Sequence, residues 1–326
     1  MRVLVTGVAG FIGSHLVEKL LTHKIEVLGL DNLSIGKKSN IENCLTNPSF
    51  KFIEGDIRDV KLMMEITTGV DAIIHLAALA DIVPSIENPE EYFSTNVNGT
   101  LNVVTAAKRN NVSRIVYAAS SSCYGIPVVY PTPEDARIDL RYPYALTKYL
   151  GETIFLHWVD VYKLSGISLR LFNVYGLRAR TSGTYGAVFG VFLAQKKAGM
   201  PLTIVGDGTQ TRDFTHVNDV TDAMYLALIS DKQGVFNVGT GKPISVNRIA
   251  ELIGGQKVFI SKRPGEPQST NADTSKIKEN LGWSSKISIE KGVAEMIENI
   301  DYWEGAPVWD VHSIDDATKS WFKYLS

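Results

Sequence analysis

The first fifteen residues constrain the fold of this chain more than any other stretch. An apolar, β-branched run, Val3-Leu4-Val5, is followed by three glycines spaced three apart and then by an amphipathic segment. This order predicts a strand, a tight turn and a helix. Gly7 permits the turn, Gly10 lets the backbone approach a pyrophosphate, and Gly13 allows the helix to pack closely on the sheet. The start of that helix would present free N–H groups and a positive dipole end to phosphate groups.

An acidic residue at the end of the second apolar run points to a particular dinucleotide. Asp31 follows the run Glu26–Leu30, where its carboxylate could accept hydrogen bonds from both hydroxyls of a ribose. The same charge would repel a 2′-phosphate. A glycine triplet alone is equally compatible with an ordinary strand-to-helix turn, but together with Asp31 it favours NAD over NADP.

Strand and helix patterns alternate through the first half of the chain. Runs typical of strands occur at 50–54, 72–76, 114–118 and 167–171, and helices are expected from near Pro89 to Asn110 and from near Tyr144. This alternation predicts an α/β fold, a Rossmann-type doubly wound parallel sheet with helices on both faces. Ligands of such sheets bind outside the carboxyl ends of the strands.

The alternation breaks at about Asn173, where glycine and proline become frequent. We therefore expect a smaller, loop-rich C-terminal lobe that binds the substrate and covers the cleft. The predicted division is a Rossmann domain over 1–172 with a return segment near 213–235, a substrate-binding lobe over 173–212 and 236–300, and a docking tail over 301–326.

Composition excludes several classes of function. A formal charge of −2 on 326 residues offers no electrostatic reason to bind nucleic acid or an anionic membrane. No apolar run approaches the roughly 20 residues that span a bilayer, and no signal peptide is recognised before the first strand. Two cysteines are too few for a disulfide framework and lack metal-binding spacing. The expected location is the cytoplasm.

Two groups of side chains are candidates for the chemistry. Tyr144 and Lys148 are four residues apart, which places a phenol and an ammonium on one face of a helix. The ammonium and a positively charged nicotinamide ring would both favour phenolate, so Tyr144 is expected to act as a base near neutrality. The run Ser120-Ser121-Ser122 follows a buried strand, where its hydroxyls could bind a substrate oxygen. Each pattern alone has a bland alternative, a surface pair and a serine-rich turn.

With these motifs in place, nearly the whole chain resembles the extended short-chain dehydrogenases/reductases, in their nucleotide-sugar epimerase and dehydratase group. It is most similar to the UDP-glucose and UDP-N-acetylglucosamine 4-epimerases. Besides the glycines, the serines and the Tyr144/Lys148 pair, the matching pieces are Asp31-Asn32, Gly55-Asp56-Ile57, His75-Leu76-Ala77-Ala78, Asn96-Val97-Asn98-Gly99, the stretch 170–176, Gly206-Asp207-Gly208 and Arg212-Asp213-Phe214.

The resemblance implies a role for each matching position. The expected catalytic residues are Ser120, Tyr144 as the base and Lys148 as the anchor of the ribose and nicotinamide. The expected NAD contacts are Gly7, Gly10, Phe11, Ile12, Gly13, Asp31, Asn32, Asp56, Ile57, Leu76, Ala77, Ala78, Asn96, Tyr144 and Lys148. The expected substrate contacts are Ser120, Ser121, Ser122, Tyr144, Asn173, Ala187, Val188, Arg212, Arg263, Glu266 and Thr270. Among these, Asn173, Arg212 and Arg263 are expected to hold the nucleotide diphosphate.

Departures from the family pattern narrow the reaction. The 4,6-dehydratases carry an Asp-Glu pair where Ser121 and Ser122 stand, and the decarboxylating branch uses a Glu in place of Ser122. The fucose-synthase branch has a catalytic Cys two residues before the tyrosine of its Tyr-Gly pair, whereas Cys123 stands directly before Tyr124, and we interpret Cys123 as a core residue. What remains is oxidation and reduction at C4 of a nucleotide-linked hexose.

Two alternatives stay open at this stage. One is a net NAD-dependent dehydrogenase, or an epimerase acting at another carbon or on a uronic acid. The other is a non-catalytic NAD-binding regulatory protein, which the intact Tyr144/Lys148 pair disfavours.

The resemblance carries further expectations. Thr270 occupies a gate position at which a Tyr would exclude an N-acetyl group and a small residue admits it. A homodimer is expected through the helices at 89–110 and 144–163. His75 and His216 are interpreted as structural, and Ser313 with Asp316 as a capping box before a last helix. That helix is expected to bury apolar surface rather than to contact a ligand.

Overall fold

The structure is a computed structural model that describes residues 1–179 and 187–325. Its strands are β1 Arg2–Thr6, β2 Glu26–Asp31, β3 Phe50–Glu54, β4 Ala72–His75, β5 Arg114–Ser120, β6 Gly166–Leu171, β7 Val174–Tyr175, β8 Leu202–Val205, β9 Thr211–Arg212, β10 Thr215–His216, β11 Gly234–Val238, β12 Ile244–Ser245 and β13 Lys257–Ile260. Its helices are α1 Phe11–Thr22, α2 Val60–Ile66, α3 Ile82–Glu87, α4 Pro89–Tyr92, α5 Thr100–Arg109, α6 Pro143–Tyr162, α7 Val188–Lys197, α8 Val217–Ile229, α9 Val246–Ile253, α10 Ser275–Leu281, α11 Ile289–Glu298, α12 Val311–Ala317 and α13 Lys319–Leu325.

Seven parallel strands form the central sheet in the order β3-β2-β1-β4-β5-β6-β11. The chain leaves β1 in one direction and returns to β4 on its other side, so the strand order reverses between these two strands. This is the doubly wound fold expected from the sequence, and the prediction is confirmed. The carboxyl ends of β1 and β4 mark the point where such sheets bind their ligands.

Successive side chains along each strand point to opposite faces of the sheet and so contribute to two apolar layers. Val3 and Val5 of β1 pack with α1 and α8 on one face, while Leu4 packs with α2, α5 and α6 on the other. Both faces of the strands are therefore buried, as in other parallel sheets covered by crossover helices. A third apolar cluster joins α7, α9 and α11 with β8 in the loop-rich half of the chain, where β13 pairs with β8.

The elements predicted from sequence are present, with local differences. The helix expected from Pro89 to Asn110 is interrupted by a π-helical segment, Phe93–Gly99, between α4 and α5. β5 continues to Ser120, which places that serine at the carboxyl edge of the sheet. Residue periodicity predicts neither feature. The π-helical segment depends on how Asn96 contacts a neighbouring loop, and the length of β5 depends on the loop that follows it.

The C-terminal tail folds onto the rest of the molecule, but its predicted cap is wrong. Asp310, not Ser313, is the N-cap of α12: its carboxylate accepts from the backbone N–H of Ser313, and the Ser313 hydroxyl interacts with the Asp310 backbone N–H. The error is one of register, because a Ser at the third helical position can replace the expected Glu or Gln in a capping box. The side chains of Trp303, Ile314 and Trp321 are buried.

Across the described ranges 1–179 and 187–325, no helix combines the length and apolar character needed to cross a membrane. The expected cytoplasmic location stays a prediction, as does the proposed division of the chain into lobes, whose segment 173–212 includes residues 180–186 outside the described part.

Candidate active site

A cleft of about 540 Å³ opens at the carboxyl edge of the sheet. One wall comes from the start of α1, the end of β5 and the start of α6, and the other comes from the loop-rich half of the chain. All the substrate-binding residues expected from sequence line it: Ser120, Ser121, Ser122, Tyr144, Asn173, Ala187, Val188, Arg212, Arg263, Glu266 and Thr270. Residues from widely separated parts of the sequence therefore meet around one space.

The three glycines of the first loop are required for three different reasons. Gly7 has φ of +73°, and a Cβ there would lie 2.8 Å from the backbone N of Ala77. A Cβ on Gly13 would lie 2.1 Å from the carbonyl oxygen of Gly7, so only glycine permits this close helix-to-turn contact. Gly10 is less constrained, since a Cβ there would meet the Gly7 oxygen alone, at 3.2 Å. The sequence expects a phosphate group to approach Gly10, and the neighbouring Phe11 and Ile12 line the cleft.

Asp31 braces the glycine loop besides facing the expected ribose position. Its Oδ2 accepts from the backbone N–H of Ala9 at 2.9 Å, and its Oδ1 accepts from that of Leu33 at 2.8 Å. Burial raises the pKa of this carboxyl, and the two backbone bonds oppose the rise. Each oxygen retains a second lone pair, so the carboxylate can still accept from ribose hydroxyls.

A second acidic residue lies beside Asp31 on the neighbouring strand end. Asp56 accepts from Asn32 Nδ2 at 2.9 Å and forms a two-pronged contact with Arg58, at 2.7 and 3.0 Å. The hydrogen bonds from Arg58 lower the pKa of Asp56 to about 2. Sequence reasoning missed Arg58, although an arginine two residues from an aspartate is a readable signal. The side chain of Ile57 is buried against Gly99.

The segment after β4 is held by buried polar side chains. The Thr6 hydroxyl accepts from the backbone N–H groups of Leu76 and Ala77, and Ala78 follows directly. Asn96 bonds both backbone groups of Leu79, and its amide also donates to Thr147 Oγ1 on α6. The amide of Asn96 therefore positions the loop at which the sequence expected a cofactor contact.

The expected catalytic hydroxyls lie side by side on one wall of the cleft. Tyr144 is the second residue of α6, and its Oη lies 3.4 Å from Oγ of Ser120 at the end of β5. Ser120 Oγ also accepts from the backbone N–H of Ser122, which caps the short helix Ser121–Tyr124. Two hydroxyls in this arrangement can both reach one substrate oxygen.

Lys148 lies one helical turn after Tyr144 and is fully buried. Its Nζ donates to the carbonyl oxygen of Ala118 at 2.7 Å and lies 4.6 Å from the centre of the Tyr117 ring. Burial lowers the pKa of Lys148 to about 8, and the charge of Glu152 opposes this. The ammonium is thus anchored to the strand that carries Ser120.

The protein's own groups raise the pKa of Tyr144, which corrects the lowering expected from the spacing to Lys148. Burial is the largest cause, the hydrogen bond with Ser120 opposes it, and the charge of Asp81 adds to the rise. The physical reason is desolvation, which penalises a phenolate in a closed cleft. Sequence spacing reveals a neighbouring charge but not the water that burial removes.

The residues interpreted as structural, Cys123, His75 and His216, are buried and contact other parts of the protein. Cys123 is buried among apolar side chains, and burial raises its pKa to about 12. The two ring nitrogens of His75 interact with Thr6 and Thr100, and burial lowers its pKa to about 3. His216 caps α8 through its Nδ1. By contrast, the buried Oγ of Ser122 has no hydrogen-bond partner among the described residues, and it faces the cleft.

The opposite wall of the cleft carries two arginines bridged by one acid. Glu266 lies 3.2 Å from Arg263 Nη1 and 3.7 Å from Arg212 Nη2. Burial lowers the pKa of Arg212, and Glu266 opposes this. Nearby, the Thr270 hydroxyl donates to Asn173 Oδ1 and accepts from the backbone N–H of Asp213, both at 3.1 Å. Two guanidinium groups on one wall of a cleft suit a diphosphate.

Tyr142, Thr318 and Trp321 are among the residues that line the cleft and that sequence reasoning missed. Tyr142 stands just before α6, with its ring parallel to that of Tyr144 at 6.5 Å. Thr318 and Trp321 come from the C-terminal tail. The tail therefore packs as expected but also reaches the site, and no local pattern in the sequence could signal a contact made across more than fifty residues.

These features fit a dinucleotide. The glycine loop with its close contacts, the start of α1 and the carboxylate of Asp31 are the groups that would hold the phosphates and the ribose of such a ligand. NAD, when bound here, would accept and return a hydride.

A family model described as the NAD-dependent epimerase/dehydratase family matches residues 3–239. The chain belongs to this family. The NAD-dependence of the family confirms the cofactor predicted from sequence and the prediction that the chain is an NAD-dependent enzyme of the epimerase group. The non-catalytic alternative is thereby discarded.

Relatives of known or assigned activity extend over almost the whole chain. A putative UDP-glucose 4-epimerase of Methanocaldococcus jannaschii is 37% identical over 303 residues, covering 90% of this chain and 97% of its own. UDP-glucuronic acid decarboxylases of Arabidopsis thaliana match at 34–35% identity over more than nine-tenths of this chain.

Solved structures agree with the fold. A UDP-N-acetylglucosamine 4-epimerase from Methanobrevibacter ruminantium, in complex with UDP-N-acetylmuramic acid, superimposes with a TM-score of 0.87 at 31% identity, covering 93% of this chain and 97% of its own. A UDP-glucuronic acid 4-epimerase from Bacillus cereus, in complex with UDP-glucuronic acid and NAD, gives 0.86 at 31% identity, covering 92% and 99%.

Alanine at two positions of the glycine loop should separate folding from cofactor binding. Gly13→Ala forces a methyl group into the Gly7 carbonyl and should lower the free energy of unfolding by about 1–3 kcal/mol or more. Gly10→Ala should change it by less than about 1 kcal/mol but weaken NAD binding, because the methyl group takes the phosphate's space. Urea unfolding and calorimetric titration with NAD measure the two effects. Unchanged NAD affinity in Gly10→Ala would place the phosphates elsewhere.

Proposed function

We propose that this protein is a nucleotide-sugar 4-epimerase that acts on a UDP-hexose or UDP-N-acetylhexosamine through a transient 4-keto sugar. One observation carries the proposal: Tyr144 and Ser120 present paired hydroxyls 3.4 Å apart beside the buried Lys148, while Ser121 and Ser122 supply no carboxylate. The set supports proton and hydride transfer at one carbon, and the elimination and decarboxylation branches of the family carry acids where these serines stand.

The residues of the chain have separate tasks in this reaction. Tyr144 takes the proton from the C4 hydroxyl, and Ser120 holds the same oxygen by a hydrogen bond. Tyr144 accepts this proton as a phenolate and becomes a phenol, and the positive charge of Lys148, which is anchored on Ala118, favours the phenolate form before the transfer. NAD supplies the hydride acceptor and donor. The wall carrying Arg212 and Arg263 holds the diphosphate while the 4-keto sugar presents its other face, so hydride returns to give the epimer.

UDP is the favoured nucleotide because most of the relatives with named substrates are named for UDP-sugars, although one, at 28% identity, is a dTDP-glucose 4,6-dehydratase. The second candidate is an epimerase of UDP-glucuronic acid or a net dehydrogenase on the same scaffold. The observation that favours the uronic acid is the similarity to the UDP-glucuronic acid 4-epimerase from Bacillus cereus, at 31% identity.

A panel of UDP-, GDP- and dTDP-sugars incubated with purified protein and NAD tests the proposal, with products identified by chromatography and NMR. We expect redox-neutral interconversion of C4 epimers of UDP-sugars. Stoichiometric NADH release would support the dehydrogenase, release of CO2 from UDP-glucuronic acid would support the decarboxylase, and turnover of no sugar would contradict the proposal.

Tyr144→Phe should lower kcat by about 10²–10⁴-fold, because it removes the proton acceptor. NAD affinity should remain within a few-fold, since the glycine loop is untouched. Tyr162→Phe removes a hydroxyl from an exposed position of the same helix and serves as the matched control. Near-wild-type turnover by Tyr144→Phe would contradict the mechanism.

Thr270→Tyr should abolish turnover of UDP-N-acetylglucosamine and spare UDP-glucose, because a phenol ring would fill the space that the N-acetyl group needs. Thr270 also accepts from the backbone N–H of Asp213, so the substitution removes a structural bond. Two controls separate these effects: Thr270→Ala loses the hydroxyl without adding volume, and Thr270→Ser keeps it. The ratio of kcat/KM for the two sugars is the measurement. Equal losses in Thr270→Tyr and Thr270→Ala would mean that Thr270 is not the gate.

A homodimer is also proposed, built on the helices at 89–109 and 143–162. Half-exposed or exposed apolar side chains on these helices, among them Phe93, Trp158, Val161 and Tyr162, support it. An isologous interface would bury these side chains on both partners. Light scattering at micromolar concentration should give twice the monomer mass, and a monomeric mass would contradict the proposal.

A further inference from the structure

The last helix of the chain, α13, reaches the substrate side of the cleft. It lies beyond residues 3–239, the part that matches the family model. Trp321 is its most buried residue, and its ring lines the cleft together with Thr318 just before the helix. A segment near the C-terminus therefore contributes to the wall where the nucleotide sugar is expected.

Trp321 makes two contacts with the segment that carries Arg263 and Glu266. Its indole N–H donates to the carbonyl oxygen of Pro264 at 2.7 Å, and the Arg263 guanidinium lies 5.4 Å from the centre of its ring. Stacking on an aromatic face and pairing with Glu266 at 3.2 Å hold the guanidinium from two directions. A planar, immobilised fork binds a diphosphate with less loss of side-chain freedom than a mobile one.

The same ring also contacts the catalytic side of the cleft. Trp321 and Tyr142 have ring centres 6.4 Å apart, and Tyr142 stands directly before the helix that carries Tyr144. Ser320 donates to Glu87 at the end of α3, whose first residues line the cleft. The helix α13 thus bridges the two walls, with one side on 263–265 and the other on α3 and Tyr142.

We propose that α13 is part of the nucleotide-sugar site and that Trp321 is a positioning residue, which fixes Arg263 for the diphosphate and holds the 263–267 segment against Tyr142. The inference rests on the proposed function, because it takes the diphosphate of a nucleotide sugar as the group that Arg263 meets. It adds a substrate-affinity role for a residue outside the region shared with the family model.

The experiment compares Trp321→Ala and Trp321→Phe with wild type by calorimetric titration with UDP and NAD, and by steady-state kinetics with the preferred UDP-sugar. Trp321→Ala should weaken UDP binding about tenfold or more and raise KM while kcat changes less than about threefold, the pattern of lost uniform binding. Trp321→Phe keeps a ring under Arg263 and should recover much of the affinity. NAD affinity should stay unchanged in both variants.

Two further measurements separate positioning from loosening of the fold. Tyr324→Ala removes an exposed aromatic ring from α13 that does not line the cleft, and this variant should bind UDP as wild type does. In a double-mutant cycle, Trp321→Ala should cost little further UDP affinity in an Arg263→Ala background. Each change alone already removes the positioned Arg263 guanidinium, so the second change has little left to remove.

The outcomes are distinct. Unchanged UDP affinity in Trp321→Ala, additive effects in the cycle, or an equal loss of NAD affinity would each overturn the role of Trp321. If Trp321→Ala does not fold, Trp321→Leu takes its place, because leucine fills much of the volume but offers Arg263 no aromatic face; unchanged UDP affinity in Trp321→Leu would overturn the proposal. A wild-type protein that binds NAD but no UDP would overturn the proposed function, and this inference with it.

Discussion

The buried ion pair between Glu152 and Arg170 is the interaction on which the geometry of the cleft depends. Arg170 on β6 makes three hydrogen bonds to the Glu152 carboxylate, at 2.9 to 3.1 Å, and the Ser168 hydroxyl adds a fourth at 2.6 Å. Glu152 follows Tyr144 and Lys148 at intervals of four, so the three side chains lie along one face of α6. The pair therefore fixes both the rotation and the depth of the helix that carries the proposed base.

The ion pair also connects α6 to the far edge of the sheet. Arg170 donates to the hydroxyl of Tyr124, and that hydroxyl donates to Asn237 on β11. Removing one partner of such a pair leaves a buried charge unpaired, which typically costs about 3–5 kcal/mol. Because Lys148 bonds Ala118 on β5, the helix is held at two points four residues apart, and Tyr144 has little freedom to leave Ser120.

Burial shifts the pKa values of Tyr144, the proposed base, and Lys148, the proposed anchor, in opposite directions. It lowers the pKa of Lys148 to about 8 and raises that of Tyr144, so each group is pushed towards its neutral form. When Tyr144 is a phenolate and Lys148 is an ammonium, each charge lowers the free-energy cost of keeping the other in a buried place. Because water is excluded, the ionisation of Tyr144 depends on the charges around it. A positively charged cofactor ring would also favour the phenolate.

How much could be predicted from the sequence depended on the distance over which each contact is made. The glycine loop, Asp31 and the Tyr144/Lys148 pair are local patterns whose spacing encodes geometry, and the structure places them at one edge of the sheet. The Arg58 bond to Asp56, the capping role of Asp310 and the approach of Trp321 to Arg263 were not foreseen. The first two have short signals that were overlooked, whereas the last depends on where a distant helix packs.

Thr270, the proposed specificity gate, also belongs to a hydrogen-bond network around Asp213, and this limits the side chains that the position can accept. Asp213 is fully buried, and its carboxylate accepts from the backbone N–H groups of Thr240, Gly241 and Ala272, while its own backbone N–H donates to Thr270. Thr270 thus faces the cleft and also closes this network. A hydroxyl at this position serves both tasks, because it accepts from Asp213 and still leaves room beside Asn173. A larger side chain without this hydroxyl would narrow the cleft and would leave the backbone N–H of Asp213 without its acceptor. The residue at position 270 therefore affects both the size of the substrate that fits and the stability of the network around Asp213.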